Sequence, residues 1–242
     1  VEPGKVLYLD YETDEHEFYD RLKHIQRGLR SENPLRDIYY RFCSQGLANE
    51  IEAIQRIVAE NDIACVIVDS LGSACGGEPE EASVALRYFS ALRSLRRTTV
   101  SIHHQNKEGK LFGSVYWFNF ARNIWEIQKV QEAGEDRVQI GLFHRKMNNG
   151  RLMRPIGLRF MFQEQEVIIE KEEIASVPEF ISNLSLKQRL YGILKQGKVS
   201  VNELAEQLEH RPEVIRTCLT RHSELFVRIG DHQWGLCQIQ AV

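Results

Sequence analysis

Residues 63–70 read Ile63-Ala64-Cys65-Val66-Ile67-Val68-Asp69-Ser70. An unbroken apolar run of this length, rich in β-branched side chains and closed by an acid, predicts a strand buried on both faces, as in parallel sheets. Just before it, residues 49–61 predict a helix, with Ile51, Ile54 and Val58 at helical spacing. Further upstream, Lys5-Val-Leu-Tyr-Leu-Asp10 is a second short strand ending in an acid, followed by a charged, helix-favouring stretch over 14–29. Downstream, the Gly-, Ser- and Pro-rich residues 72–79 predict a loop, 80–97 an amphipathic helix and 98–104 a third strand. Strands alternating with helices predict an α/β domain with an open, mainly parallel sheet flanked by helices. The acids and histidines at the strands' carboxyl ends put its site along that edge.

Two further strands are expected at 121–128 and 138–144, and residues 158–170 alternate as a hairpin at the sheet edge would. This body extends over 1–172, and the polar stretch 173–183, with Pro178, is expected to be a linker. Residues 184–242 then change texture. Helices are predicted at 187–196, ended by Gly197, at 201–208, and at 211–222, where Pro212 suits a first turn. Residues 226–236 read as two strands about a Gly230-Asp231 turn, which completes a small winged-helix plan.

With 242 residues, 43% of them hydrophobic, the chain is long enough for one sizeable core and a smaller one. No apolar run approaches the roughly 18 residues of a membrane helix, and Val1-Glu-Pro-Gly-Lys5 lacks the layout of a signal peptide, so a cytoplasmic protein with no membrane partner is expected. Five scattered cysteines without a C-x-x-C pair read as reduced thiols. A net charge of −3 argues against coating nucleic acid by bulk electrostatics, but the charge is uneven. Residues 184–242 hold eight Lys or Arg against six Asp or Glu, whereas 1–183 hold 23 against 28.

Asp69, directly after a buried strand and followed by Ser70, is placed to reach a magnesium ion through water at a nucleotide's phosphates, the Walker B arrangement. An acid capping the next turn reads the same way. Glu12 follows the first strand similarly, where a carboxylate can polarise an attacking water or can simply be solvated. His103 and His104, with Gln105, Asn106 and Lys107 after them, concentrate hydrogen-bonding groups able to sense a phosphate. One metal ion shared by both imidazoles is disfavoured, because neighbours in a strand point to opposite faces. Arg122 lies among apolar residues, a setting that also suits a plain salt bridge, and Lys146 sits where a strand gives way to a turn. In the third helix of the tail, Arg211, Arg216, Thr217, Thr220 and Arg221 form a polar, basic set suited to DNA phosphates and base edges; docking to protein is the alternative.

Val6-Leu-Tyr-Leu-Asp-Tyr-Glu12, Val66-Ile-Val-Asp-Ser70, His103-His-Gln-Asn-Lys107, Gly113-Ser114 with Arg122, and Lys146-Met-Asn-Asn-Gly150 occur in this order over about residues 5–165. In that order and spacing the chain resembles the RecA-like ATPases of the plasmid RepA helicase type. The resemblance implies ATP and Mg2+ as cofactors, Glu12 as water-activating base, Asp69 as Walker B acid with Ser70 and Lys107 beside the nucleotide, and His104 as phosphate sensor. It further implies Arg122 as an arginine finger reaching a neighbouring subunit, Lys146 as its support, and copies of the chain assembled in a ring, often a hexamer, that moves DNA in replication or recombination of phage, plasmid or mobile elements. The G-x-x-x-x-G-K-[ST] loop that cradles phosphates is not in these 242 residues. In the family that loop precedes the strand starting here at Lys5, so an N-terminal truncation is expected, a natural fragment or degenerate paralogue being the alternative. Weak or no ATP binding by the chain as given follows, as does an open sheet edge covered by another chain or a rearranged segment.

Overall fold

The computed structural model describes residues 4–30, 37–107, 109, 111–230 and 232–237. Strand β1 (Lys5–Asp10) leads to helix α1 (Glu15–Gly28), then β2 (Ile38–Phe42), α2 (Leu47–Glu60), β3 (Ile63–Asp69), α3 (Leu71–Ala74), α4 (Ala82–Ser94), β4 (Thr98–Ser101) and α5 (Val115–Phe120). The strands form a four-stranded sheet in the order β2-β1-β3-β4. All three of its pairings are parallel, with Asp10 opposite Asp69.

Period-two alternation decides the layering. Leu7 and Leu9 of β1 and Val66 and Val68 of β3 are buried in one cluster with Ile54 and Val58 of α2 and Tyr88 and Leu92 of α4. Each such side chain removed from water contributes roughly 1.5–3 kcal/mol. Tyr8, on the opposite face, packs against Phe18 of α1 with ring centroids 4.6 Å apart, and Phe18 meets Tyr40 of β2 at 4.9 Å. Helix α1 is held by its N-cap, since the Asp14 side chain accepts from the Glu17 N–H, with Glu15 and Glu17 in the first turn and Arg27 in the last. A parallel sheet flanked by helices is thus the architecture of this region.

Several expectations are corrected here. Strand β2 was not foreseen, because Ile38-Tyr-Tyr-Arg-Phe42, half-buried over 38–41 and exposed at Phe42, shows no clean alternation. Strand β4 stops at Ser101, so His103 and His104 lie in the connection after it rather than in a strand. The segment read as loop over 72–79 contains the short helix α3, and the amphipathic helix is shorter than 80–97.

Strands β5 (Asn123–Val130), β6 (Arg137–Met147), β7 (Ile156–Phe162) and β8 (Val167–Glu172) form a sheet of their own, in the order β5-β6-β7-β8, and not an edge of the parallel one. By its contacts the chain divides into two compact units. One comprises the described residues up to Glu126 with His144–Met153 and Phe160–Ile169; the other holds Ile127–Phe143, Arg154–Arg159 and the described residues from Glu170.

Within the second unit, the expected linker 173–183 is folded: a 3-10 turn (Ile174–Ser176) precedes α6 (Pro178–Ile181), and Ile174, Val177, Phe180 and Leu184 are buried with Phe143. Its apolar residues recur every three to four positions, a spacing that the surrounding acids obscure. Then follow α7 (Leu186–Gln196), β9 (Val199–Ser200), α8 (Val201–Gln207), α9 (Pro212–Arg221), β10 (Phe226–Ile229) and β11 (Gln233–Leu236). Capping boxes Ser185/Gln188 and Ser200/Glu203 start α7 and α8, and Pro212 occupies the first turn of α9. The three strands pair antiparallel in the order β10-β11-β9 over a core of Leu190, Leu194, Leu204, Ile215, Leu219 and Phe226. Asp231 of the expected turn and residues 238–242 of the tail lie outside the described residues. Among the described residues, no helix is long and apolar enough to cross a membrane.

Candidate functional site

Parallel pairing of β1 with β3 sets their carboxyl ends side by side, and the chain bends after each. Asp10 is 2% exposed and ties the first bend: its Oδ1 accepts the N–H groups of Glu12 and Thr13, both at 2.9 Å, and Oδ2 accepts the Tyr40 hydroxyl at 3.2 Å. Burial alone would push this carboxyl up, but the Thr13 side chain and the two N–H groups outweigh it and hold Asp10 below the usual carboxylate range. The bend aims Glu12 across to β3, where Oε1 accepts the Ser70 hydroxyl and lies 3.2 Å from His104 Nε2. The Ser70 bond first, then the His104 bond and charge, hold Glu12 below its ordinary value as well. Asp69 Oδ2 accepts the Tyr8 hydroxyl, and burial together with that bond raises Tyr8. The Asp69–Ser70 peptide is cis.

Glu12, Asp69, Ser70 and His104 therefore gather at the carboxyl end of one parallel sheet. An ionised Glu12 that accepts from a hydroxyl and an imidazole can take a proton from a bound water, and His104 can register what binds beside it. Asp69 and Glu12 supply hard oxygen donors. Among the described residues no group of three or more His, Cys, Asp or Glu is placed to hold a metal.

The remaining predicted residues are placed elsewhere. Lys107 is exposed in the turn beyond His104. Arg122 is exposed just before β5, and its carbonyl accepts the Asn148 N–H at 2.9 Å. Lys146 is the last residue but one of β6, where the strand gives way to a bend, and its ammonium donates to the Phe118 and Asn119 carbonyls at 2.7 and 2.9 Å. It thereby fixes the last turn of α5, from which Arg122 follows. His103 bonds the Phe112 carbonyl at 2.7 Å through Nε2, and burial lowers its pKa. Arg211, the N-cap of α9, and Arg216, Thr217, Thr220 and Arg221 within it are exposed while Ile215 and Leu219 are buried.

Asp10, Tyr8 and Tyr40 were not expected at the site. Their signal was present in the alternation of β1, which puts Tyr8 and Asp10 on one face. Tyr40, pushed up to about 12 by burial and by Asp10, sits on the unforeseen β2. His144 was also missed; it is stacked on Trp125 at 4.4 Å, takes the Met153 N–H on Nδ1 at 2.8 Å and meets Asn123 through Nε2 at 2.8 Å.

Because the folded-state pKa of Asp10 is depressed, its ionisation stabilises the fold fully above the ordinary carboxylate value near ~3.9, and that contribution is lost as pH falls through the folded value. Asp10→Asn is expected to cost about 1–3 kcal/mol at neutral pH and to flatten the acid limb of stability. Urea melts between pH 2 and 6 measure it; parallel curves for the two proteins would contradict the assignment.

The comparisons with known proteins bear on this same region. Residues 1–110 match the AAA domain family. No curated protein sequence matches the chain. Among solved structures, a KaiC-like protein from the hyperthermophilic archaeon Pyrococcus horikoshii is similar with a TM-score of 0.48 and 16% identity, over 69% of this chain and 76% of that one.

Proposed function

We propose that the chain carries the acid-and-sensor part of an ATP-hydrolysing site in a RecA-like motor of the RepA helicase type, with Mg2+ as cofactor. The observation that carries this reading is the meeting of Glu12, Ser70 and His104 at the end of β1 and β3, with Asp69 beside them, inside the region that matches an AAA domain. In this reading Glu12 activates water, Asp69 holds the metal through water with Ser70 and Lys107 near the phosphates, and His104 senses the terminal phosphate. Arg122, steadied through α5 by Lys146, reaches a neighbouring copy in a ring. Hydrolysis drives movement along DNA during replication or recombination of phage, plasmid or mobile elements. The test is ATP turnover, with and without DNA, by a form fused to an upstream segment bearing a glycine-rich loop that ends in Lys-Ser or Lys-Thr. A fused form that is folded and binds ATP yet hydrolyses none in either condition ends the reading.

The C-terminal helices and β9–β11 are read as a winged helix whose α9 meets DNA, supported by exposed Arg211, Arg216 and Arg221 over a buried apolar face. Replacing any one of them by Glu is expected to weaken binding to duplex DNA about equally across sequences. Replacing it by Ala is expected to lower the slope of log affinity against log salt by roughly 1. Slopes unchanged in all three variants would move this helix to protein docking. That exposed basic set also supports a second reading, a DNA-binding regulator that uses the α/β body as an oligomerisation scaffold.

A further inference from the structure

Contacts on both sides of Arg122 tie it to β6 and to the bend after that strand, all within the first unit. On the N-terminal side, Lys146 holds the carbonyls of Phe118 and Asn119 at the end of α5. The Arg122 carbonyl itself accepts the Asn148 N–H at 2.9 Å. On the C-terminal side stands His144, 6% exposed, whose Nε2 lies 2.8 Å from Asn123 Oδ1. His144 and Lys146 share one face of β6 by the two-residue period of a strand, so a single face reaches both flanks of Arg122.

The direction of each His144 bond is fixed. A backbone N–H can only donate, so Nδ1 accepts from Met153 at 2.8 Å, and the ring proton sits on Nε2, which donates it to Asn123 Oδ1. The ring also lies flat on Trp125, with centroids 4.4 Å apart and planes within 1°. Packing on that indole asks only for a flat ring. What the imidazole adds is an acceptor on one edge and a donor on the other, and a buried polar ring is costly unless both find partners. The imidazole therefore joins Asn123, next to Arg122, to Met153 on the far side of the bend over 148–150.

We propose that His144 is a positioning residue for Arg122, fixing the start of β5 against the end of β6 so that the guanidinium leaves the fold in one direction. Arg122 is exposed, so burial does not hold its side chain and only the backbone beneath it can be held. A shift of about 1 Å at a group acting on a reaction costs on the order of 10²-fold in rate. The role rests on the reading of Arg122 as an arginine finger. The mechanical link does not, because it is made of contacts within the chain as it stands.

Amide hydrogen exchange of the full chain tests the link. His144→Phe keeps a flat ring on Trp125 and removes both bonds. Exchange is then expected to quicken at least about tenfold at Met153, which loses its acceptor, and at Asn148, which is held by the Arg122 carbonyl. Asn123→Ala leaves His144 in place and is expected to quicken Asn148 but not Met153. His144→Gln, whose amide both accepts and donates, is expected to recover part of the protection. Exchange at Asn148 unchanged in His144→Phe and in Asn123→Ala overturns the proposal. Turnover of the fused form that hydrolyses ATP tests the role. There His144→Phe is expected to lower kcat by about 10- to 100-fold with KM within a few-fold, and its combination with Arg122→Ala to lose no more than Arg122→Ala alone. Either an unchanged kcat or losses that multiply would overturn it. Undiminished turnover in Arg122→Ala overturns the finger reading and the role together, and quickened exchange at Asn148 would then place the fault in that reading and not in the link.

Discussion

Glu12→Gln, in a form of the protein that hydrolyses ATP, is expected to lower turnover by about 10²- to 10⁴-fold while leaving nucleotide affinity within a few-fold, the range by which positioned proton acceptors act. The amide keeps the size of the carboxylate and can still accept the Ser70 hydroxyl, so the bend after β1 is retained. What it loses is the negative oxygen facing Ser70 and His104, hence the capacity to take a proton from water. Steady-state turnover and equilibrium binding of a non-hydrolysable analogue separate the two effects. Loss of affinity equal to the loss of turnover would make Glu12 a binding group, and unchanged turnover would remove it from the chemistry. The depressed pKa adds a second expectation: the carboxylate is ionised throughout the neutral range, so turnover limited by this base falls only at acid pH.

How much of this was legible in the sequence follows from how local each cause is. Strands β1 and β3 are written in continuous apolar runs whose ends are marked by Asp10 and Asp69, and the structure bounds them at the expected residues. The helices of the C-terminal unit carry their own punctuation, Ser185, Gly197, Ser200 and Pro212, and fall within one or two residues of expectation. Strand β2 has no such signal, because its identity comes from pairing with β1 and from α1 packing over Tyr40. Likewise Lys146 reads as a surface cation until β6 lays it against the carbonyls that end α5. That Glu12, two residues past a strand, would meet Ser70 depended on the N–H bonds to Asp10 that fold the bend, which spacing alone does not encode.

Trp117→Ala is expected to cost roughly 3–5 kcal/mol, which in a chain of this size lowers the melting midpoint by roughly 6–20 °C. The indole is 2% exposed in helix α5, and its Nε1–H donates to Pro79 O at 2.7 Å. Its ring lies 5.6 Å from Tyr88 and 5.8 Å from Phe89, both on α4, so truncation opens a cavity between two helices that the backbone is poorly able to close. The same carbonyl accepts the Ser114 N–H at 2.9 Å. Gly113, at φ +93°, passes so close that an added Cβ would stand 2.6 Å from Pro79 O and 2.9 Å from the indole nitrogen. The segment holding Phe112 is thus clamped from both sides, and Phe112 in turn anchors His103 through its carbonyl and approaches His104 through its N–H at 3.4 Å. Trp117→Phe keeps most of the ring and loses the bond to Pro79 O, for an expected cost of about 1–3 kcal/mol. Denaturant unfolding of the two variants sets the order: Ala far below Phe supports packing as the main cause, and equal losses would assign the stability of this corner to the single hydrogen bond. A loss below about 1 kcal/mol in Trp117→Ala would mean that α5 is held by something other than this indole, and that the position of His104 does not depend on it.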